Sequence, residues 1–433
     1  MTRKEELFLY RKFEDAELFE NMIWLMENVR YADADEQGTE VLRSMYFEAL
    51  GALVEMAGTY GFEGNLWHNY LTYLLVNHEN VFSTSCEIVG EVEGSLNQIA
   101  LHDFEIFRGL FAYDFAQIED CIGVHQFVLV QDYHNGNRDS RIFNRRIRDR
   151  ICDLTKALER AENAEQFMRE MQRFYRDFGV GKLGLHKAFR VEHNENGVQI
   201  VPVKNIAHVR LDDLVGYEIA KKKLIDNTEA FVNGKKANNC LLFGDAGTGK
   251  SSSIKGILNQ YYDRGLRIIE IYKHQFQDLN EVIAQIKNRN YKFIIYMDDL
   301  SFEDFEIEYK YLKAVIEGGL EKKPDNILIY ATSNRRHLVR EKFSDKEDRR
   351  DDLHSSDTVQ EKLSLVNRFG VQIFFCAPDK KEFQNIVRTL AERNQVTMPE
   401  EELLLEANKW ELSHGGLSGR TAQQFIDYLL GKM

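Results

Sequence analysis

The 433-residue chain has only four prolines, so long Pro-rich linkers are not expected. Its hydrophobic content of 43% is enough to build a core and argues against a disordered chain. Cysteine is also sparse. Cys86, Cys121, Cys152, Cys240 and Cys376 lie far apart, with no C-x-x-C pair. That scatter excludes a zinc ribbon and a disulfide frame, and it fits reduced thiols in the cytoplasm. No apolar run reaches the length of a membrane span. Residues 1–19 mix acids with bases and lack the apolar stretch of a secretion signal. There is no basic excess either: the net charge of −14 disfavours a general coat on nucleic acid. The expectation is a soluble cytoplasmic protein of two or three domains, with no membrane partner.

Residues 1–180 read as a mostly α-helical domain. Leu42, Met45, Tyr46, Ala49, Leu50, Leu53 and Met56 repeat at helical spacing, as do Phe143, Ile147, Ile151, Leu154 and Leu158. His68, His78, His102, His125 and His134 do not share a metal-ligand spacing, and ordinary histidines are expected. Arg138, Arg141, Arg145, Arg146, Arg148 and Arg150 crowd one segment. A phosphate-binding stripe is one reading. The acids interleaved at Asp139, Asp149, Asp153 and Glu159 favour the other, a solvated helix face with local ion pairs.

Residues 181–204 read as a linker, entered through the glycine-rich Phe178–Gly184. Within it, Asn196-Gly197 separates Phe189/Val191 from Val198/Ile200/Val203. That pattern predicts a β-hairpin bridging two domains. From 205 to 378 the pattern becomes α/β. Apolar runs at Cys240–Phe243, Leu266–Ile271, Phe293–Met297, Ile327–Ala331 and Val371–Phe375 alternate with helical segments. They predict a five-stranded parallel sheet covered on both faces. Residues 379–433 are helical again.

The chemistry is concentrated in Gly244–Ser251, which reads Gly-Asp-Ala-Gly-Thr-Gly-Lys-Ser, a complete G-x-x-x-x-G-K-[ST] pattern between a strand and a helix. Backbone N–H groups of such a loop, with the helix N-terminus behind them, wrap phosphate oxygens. Gly244, Asp245, Ala246, Gly247, Thr248, Gly249, Lys250, Ser251 and the adjoining Ser252 are the candidate nucleotide-binding set. Lys250 suits the β- and γ-phosphates, and the Ser251 hydroxyl suits Mg²⁺. About fifty residues on, Phe293–Met297 ends in Asp298-Asp299. Asp298 is the candidate second metal ligand. Asp299 is the candidate base for an attacking water.

These motifs resemble the AAA+ ATPases over about residues 204–433. The resemblance implies an AAA+ P-loop domain with a C-terminal helical lid, binding ATP and Mg²⁺. It implies that Leu211–Gly216 lies near the adenine. It implies a γ-phosphate-sensing role for Asn334 in Ala331-Thr332-Ser333-Asn334, with Arg335 and Arg336 as second choices. It further implies an arginine-finger role for Arg368 in Leu365–Gly370, and a sensor role for Arg420 in Gly416–Arg420. Asp298–Glu303, Ser356–Ser364 and Arg368-Phe369-Gly370 are similar to signatures of the DUF815 group of P-loop ATPases. One departure stands out. Asp299 occupies the place of a usual glutamate and is shorter by one C–C bond, about 1.5 Å. Either the sheet edge approaches the water, or Glu303 assists, or turnover is slow. The function implied is ATP hydrolysis that works on a protein partner through the N-terminal domain, in a homo-oligomer for which a ring is one form. The alternative is a nucleotide-regulated binding or loader module that hydrolyses slowly or not at all. The long charged segment Arg340–Lys362 is expected either to form a contact surface or to be flexible.

Overall fold

The computed structural model describes residues 4–14, 16–29, 36–136, 144–195, 197–203, 206–302, 308–317, 324–334 and 365–432. Asn196, Glu303, Arg335, Arg336, Arg138, Arg141, the segment 340–362 and the signature 356–364 lie outside the described residues. The chain divides into two units, Met1–His186 and Lys187–Met433.

The first unit is helical: α1 (Glu17–Asn28), α2 (Glu36–Tyr60), α3 (Leu66–Asn77), α4 (Val81–Val89), α5 (Ser95–Phe111), α6 (Ala116–Ile122), α7 (Val128–Gln131), α8 (Arg145–Glu159), α9 (Ala164–Phe178) and α10 (Gly181–Leu185). Asparagines start four of them. Asn65, Asn80, Asn144 and Asn163 accept backbone N–H bonds from the first turns of α3, α4, α8 and α9, which otherwise lack acceptors. The periodic residues Leu42, Tyr46, Ala49, Leu50 and Leu53 of α2 are buried, as expected. Aromatic rings fill much of the core, Trp67, Tyr10, Phe104 and Phe107 among them. Asp103 of α5 is fully buried and accepts the N–H groups of Phe8, Leu9 and Tyr10 at 3.0, 2.7 and 3.2 Å. One carboxylate thus ties the N-terminal segment to the bundle. In the arginine cluster, Arg148 pairs with Asp149 at 2.6 Å, and the Arg150 guanidinium lies 4.2 Å from the Phe178 ring centre. Among the described residues, no helix is long and apolar enough to cross a membrane.

The second unit is built on a sheet of seven strands, not five. They are β1 (Ala188–Asn194), β2 (Gly197–Pro202), β3 (Cys240–Gly244), β4 (Leu266–Glu270), β5 (Lys292–Met297), β6 (Ile327–Ser333) and β7 (Val371–Phe375), in the order β2-β1-β4-β5-β6-β3-β7. The five expected strands are β3–β7, and all their pairings are parallel. The two extra strands are the hairpin. It does not stand apart as a bridge: β1 pairs in parallel with β4, Phe189 opposite Ile269. The reason is its buried face. Phe189, Val191, Val198 and Ile200 all point into the core, so docking on the sheet removes their apolar surface from water. Register places Gly197 opposite Asn194, so this glycine opens β2 at φ +99°.

Helices α11 (Glu218–Val232), α12 (Lys250–Tyr261), α13 (Leu279–Ile286) and α14 (Glu308–Glu317) accompany the sheet. A bundle of α15 (Lys380–Arg393), α16 (Glu400–Ser413) and α17 (Gly419–Leu430) ends the unit. The bundle has its own apolar centre of Phe383, Ile386, Val387, Leu403, Ala407, Ala422, Phe425 and Ile426. Asp379 and Glu382 form a capping box at the start of α15, and Ser418 caps α17.

Candidate functional site: a cleft between the sheet edge and the C-terminal bundle

Strand β3 is buried along its whole length and ends in the 244–251 loop, which leads directly into α12. Gly244 has φ +133°, and a Cβ there would meet the Phe375 carbonyl oxygen at 2.0 Å, so β7 leaves no room for a side chain. The loop is braced from within. Lys250 Nζ donates to the carbonyls of Gly244 and Asp245 at 2.9 and 2.6 Å, and Thr248 Oγ1 donates to Asp245 O at 2.8 Å. The Asp245 carboxylate turns outward and accepts the Ala377 N–H at 2.7 Å.

A cleft of about 630 Å³ opens over this loop. Ala246–Ser252 line it, with Asp298, Asp299, Thr332 and Asn334 from the sheet edge and Arg420 from α17. Gly244 and Asp245 stand behind the wall and support it. At the other end, Leu214, Val215 and Tyr217 face Ile386 and Leu390 of α15, making an apolar slot. Arg393 of α15 donates to the carbonyls of Asp213 and Asp212 at 2.9 and 2.8 Å, which fixes this strap to the bundle. Arg420 N–H donates to Gly247 O at 3.2 Å, so α17 begins directly on the loop.

Register brings the acids to the loop. Met297 of β5 pairs with Ala331 of β6, which sets Asp298 beside Thr332. Asp298 Oδ1 accepts from Ser251 Oγ at 2.8 Å, from Tyr296 Oη at 2.7 Å and from Thr332 Oγ1. Desolvation by the cleft walls pushes the Asp298 carboxyl up. The hydrogen bonds from Thr332, Tyr296 and Ser251 outweigh that and hold it below the usual carboxylate range. Asp299 adopts φ +50°, a left-handed conformation that aspartate tolerates better than most residues. Its N–H donates to Thr332 Oγ1 at 3.0 Å, and its Oδ1 accepts from Asn334 Nδ2 at 2.7 Å. Burial lowers the Lys250 pKa, and the nearby Arg420 charge lowers it further against the pull of Asp245, Asp299 and Asp298. Two cations facing one space favour an anion between them.

Ser251 and Asp298 offer hard oxygen donors 2.8 Å apart. Among the described residues, no cluster of three or more His, Cys, Asp or Glu could hold a metal. The Ser251–Asp298 pair suits Mg²⁺, which takes one or two protein ligands and completes its shell with water and phosphate. The sequence expectation thus finds Lys250, Ser251, Asp298, Asp299, Asn334 and Arg420 around one cleft. Arg368 is not among the residues lining it. Cys240 pairs with Val371 and Gly244 with Phe375, so β7 starts at the edge of the sheet opposite the loop, and Arg368 precedes that start. Sequence reasoning missed Tyr296 and Thr332. Tyr296 was open to detection, since it stands near the end of β5, two residues before Asp298, which directly follows the strand.

A mostly parallel α/β sheet, a glycine-rich loop after β3, two acids directly after β5 and a helical bundle over the loop make a P-loop domain of the arrangement that the resemblance to AAA+ ATPases implies. The family model described as "Protein of unknown function (DUF815)" matches residues 184–433, more than half of the chain, and the protein belongs to that family. A search of curated proteins gave no match. Among solved structures the chain is similar to a RuvB mutant from Thermotoga maritima, at 17% identity and TM-score 0.36, covering 50% of this chain and 64% of that one. The matched part thus spans less than two thirds of the length of that RuvB structure. A second RuvB mutant from the same organism gives 15%, 0.32, 51% and 71%. The FIGL-1 AAA domain in complex with ADP gives 16%, 0.36, 52% and 75%. At these values the likeness carries no argument about activity.

Proposed function

We propose that this protein binds ATP with Mg²⁺ in the cleft, hydrolyses it, and uses the cycle to work on a protein partner through its N-terminal helical unit. The observation that carries the reading is the meeting of Ser251, Asp298, Lys250 and Arg420 around one loop. The loop N–H groups and Lys250 hold the phosphates, while the slot between Val215 and Ile386 takes the base. Ser251 and Asp298 hold the metal. Magnesium, when bound, neutralises charge on the transferred phosphoryl group. Asp299 accepts the proton of the attacking water, and Asn334, its hydrogen-bond partner, orients it towards the γ-phosphate. Arg420 links phosphate occupancy to the bundle, which acts as a lid. Arg368 serves the site of a neighbouring copy, so the working form is a homo-oligomer.

The test compares ATP binding with steady-state phosphate release. The wild type is expected to do both with Mg²⁺. Asp299→Asn is expected to bind ATP as before and to release phosphate about a hundredfold more slowly or worse. Wild-type turnover in Asp299→Asn would remove Asp299 from its role. A wild type that binds ATP without releasing phosphate would leave nucleotide binding and remove hydrolysis.

A further inference from the structure

Tyr330 on β6 shows what a buried tyrosine does when its role is packing. It is fully buried, and its hydroxyl is satisfied by Asn227 and Thr228 of α11, away from the cleft. Its partner across the pairing, Tyr296 of β5, is different. The Tyr296 side chain is 5% exposed, yet its hydroxyl reaches the cleft wall and donates to Asp298 at 2.7 Å. An aliphatic residue would fill this position without burying a polar group. A phenol there is costly unless its hydroxyl is used.

The use is visible in the geometry. Tyr296, Ser251 and Thr332 all donate to the same oxygen, Asp298 Oδ1. Among the described residues, no side chain donates to Oδ2. A carboxylate clamped through one oxygen by three hydroxyls from β5, β6 and α12, with the Asp299 backbone N–H acting on it as well, is held in one orientation beside Ser251. Ser251 must turn its lone pair to a metal when one binds, whereas Tyr296 and Thr332 keep the clamp.

We infer that Tyr296 is a positioning residue for the metal site: its phenol fixes Asp298 so that a divalent cation is held beside Ser251. This rests on the ATP–Mg²⁺ reading above. Outer partners of this kind are worth about 10- to 100-fold in metal affinity or activity.

The test reads binding. The affinity of the full chain for ATPγS is measured by calorimetry with Mg²⁺ and with EDTA. The wild type is expected to gain affinity from Mg²⁺. Tyr296→Phe keeps the ring and should match the wild type in EDTA, which also reports its folding. Its gain from Mg²⁺ should be smaller by about tenfold. Thr332→Val removes a second donor from the same oxygen and should shift the gain in the same direction, so it carries the test should Tyr296→Phe not fold. Ile294→Val, on the same buried side of β5, should lower Tm and leave the gain intact. An unaltered Mg²⁺ gain in folded Tyr296→Phe overturns this inference alone. So does an equal loss with and without Mg²⁺, which is the mark of a purely structural tyrosine. A wild type without Mg²⁺-dependent binding overturns the ATP–Mg²⁺ reading and this inference together.

Discussion

Lys250 is a cation held where water is scarce. Its side chain is buried against two carbonyls, so its charged form costs more than in solution, and its pKa falls. The consequence has a definite sign. Phosphate favours the protonated amine, so ATP affinity is full below the lowered pKa and declines as pH rises through it. The decline should begin at a lower pH than an ordinary lysine would give. Calorimetry from neutral to alkaline pH checks this, and a flat profile up to the normal lysine range would contradict it. Lys250→Ala should lose tight ATP binding altogether, by about a hundredfold or more, because a desolvated charge-assisted contact disappears. Asp298→Ala should instead lose only the Mg²⁺-dependent part. At this scale the sequence was informative where chemistry follows from local spacing. The 244–251 loop, Lys250, Ser251, Asp298 and Asp299 could all be read from it. Thr332 could not, because its contact with Asp298 depends on how β5 and β6 are paired.

The elements show the same division. Each of β3–β6 was visible as an apolar run bounded by helical spacing, since a parallel strand buried on both faces reads that way, and the edge strand β7 was visible because its exposed side also carries an aromatic, Phe374. The hairpin was visible as a hairpin, but its attachment to β4 was not. Parallel pairing is a long-range contact, and the alternation of Phe189, Val191, Val198 and Ile200 says only that one face needs cover. The bundle was visible as helices from their spacing, whereas its approach to the loop came only from the resemblance at Gly416–Arg420. That approach is tight at Gly247, which has φ +76°; a Cβ there would sit 3.0 Å from Ser418 Oγ and 3.1 Å from Arg420 Cβ. Gly247→Ala therefore adds left-handed strain of about 1–2 kcal/mol and pushes the start of α17 off the loop. The expected result is a Tm lower by a few degrees and nucleotide dissociation faster by about tenfold. Dissociation at the wild-type rate would mean that the bundle does not close over the bound nucleotide.

For the whole molecule, the open question is whether one copy suffices. Arg368 precedes β7 by three residues, and β7 starts where β3 starts. The loop follows the end of β3, five residues on, so the sheet alone separates them by about 16 Å. From there the Arg368 side chain does not reach the 244–251 loop of its own chain. In a phosphoryl-transfer transition state, charge spreads over the equatorial oxygens, and an arginine in a dry site stabilises it by about 10³–10⁵ in rate, or roughly 4–7 kcal/mol. If that contribution comes from a neighbour, Arg368→Ala should bind ATP normally and hydrolyse it poorly. Lys250→Ala should hydrolyse poorly for the opposite reason, an intact arginine with no bound nucleotide. Mixing the two should restore part of the activity, because some interfaces then join an intact Arg368 to an intact loop. Specific activity should also rise with protein concentration as assemblies form, and light scattering should show the size change over the same range. The rival role is local: Arg368 N–H closes the short turn from Leu365, and its side chain could serve only that corner. In that case Arg368→Ala lowers Tm and leaves turnover per bound ATP unchanged. A monomer with concentration-independent turnover, or mixed assemblies without recovery, would place every group needed for hydrolysis within one chain.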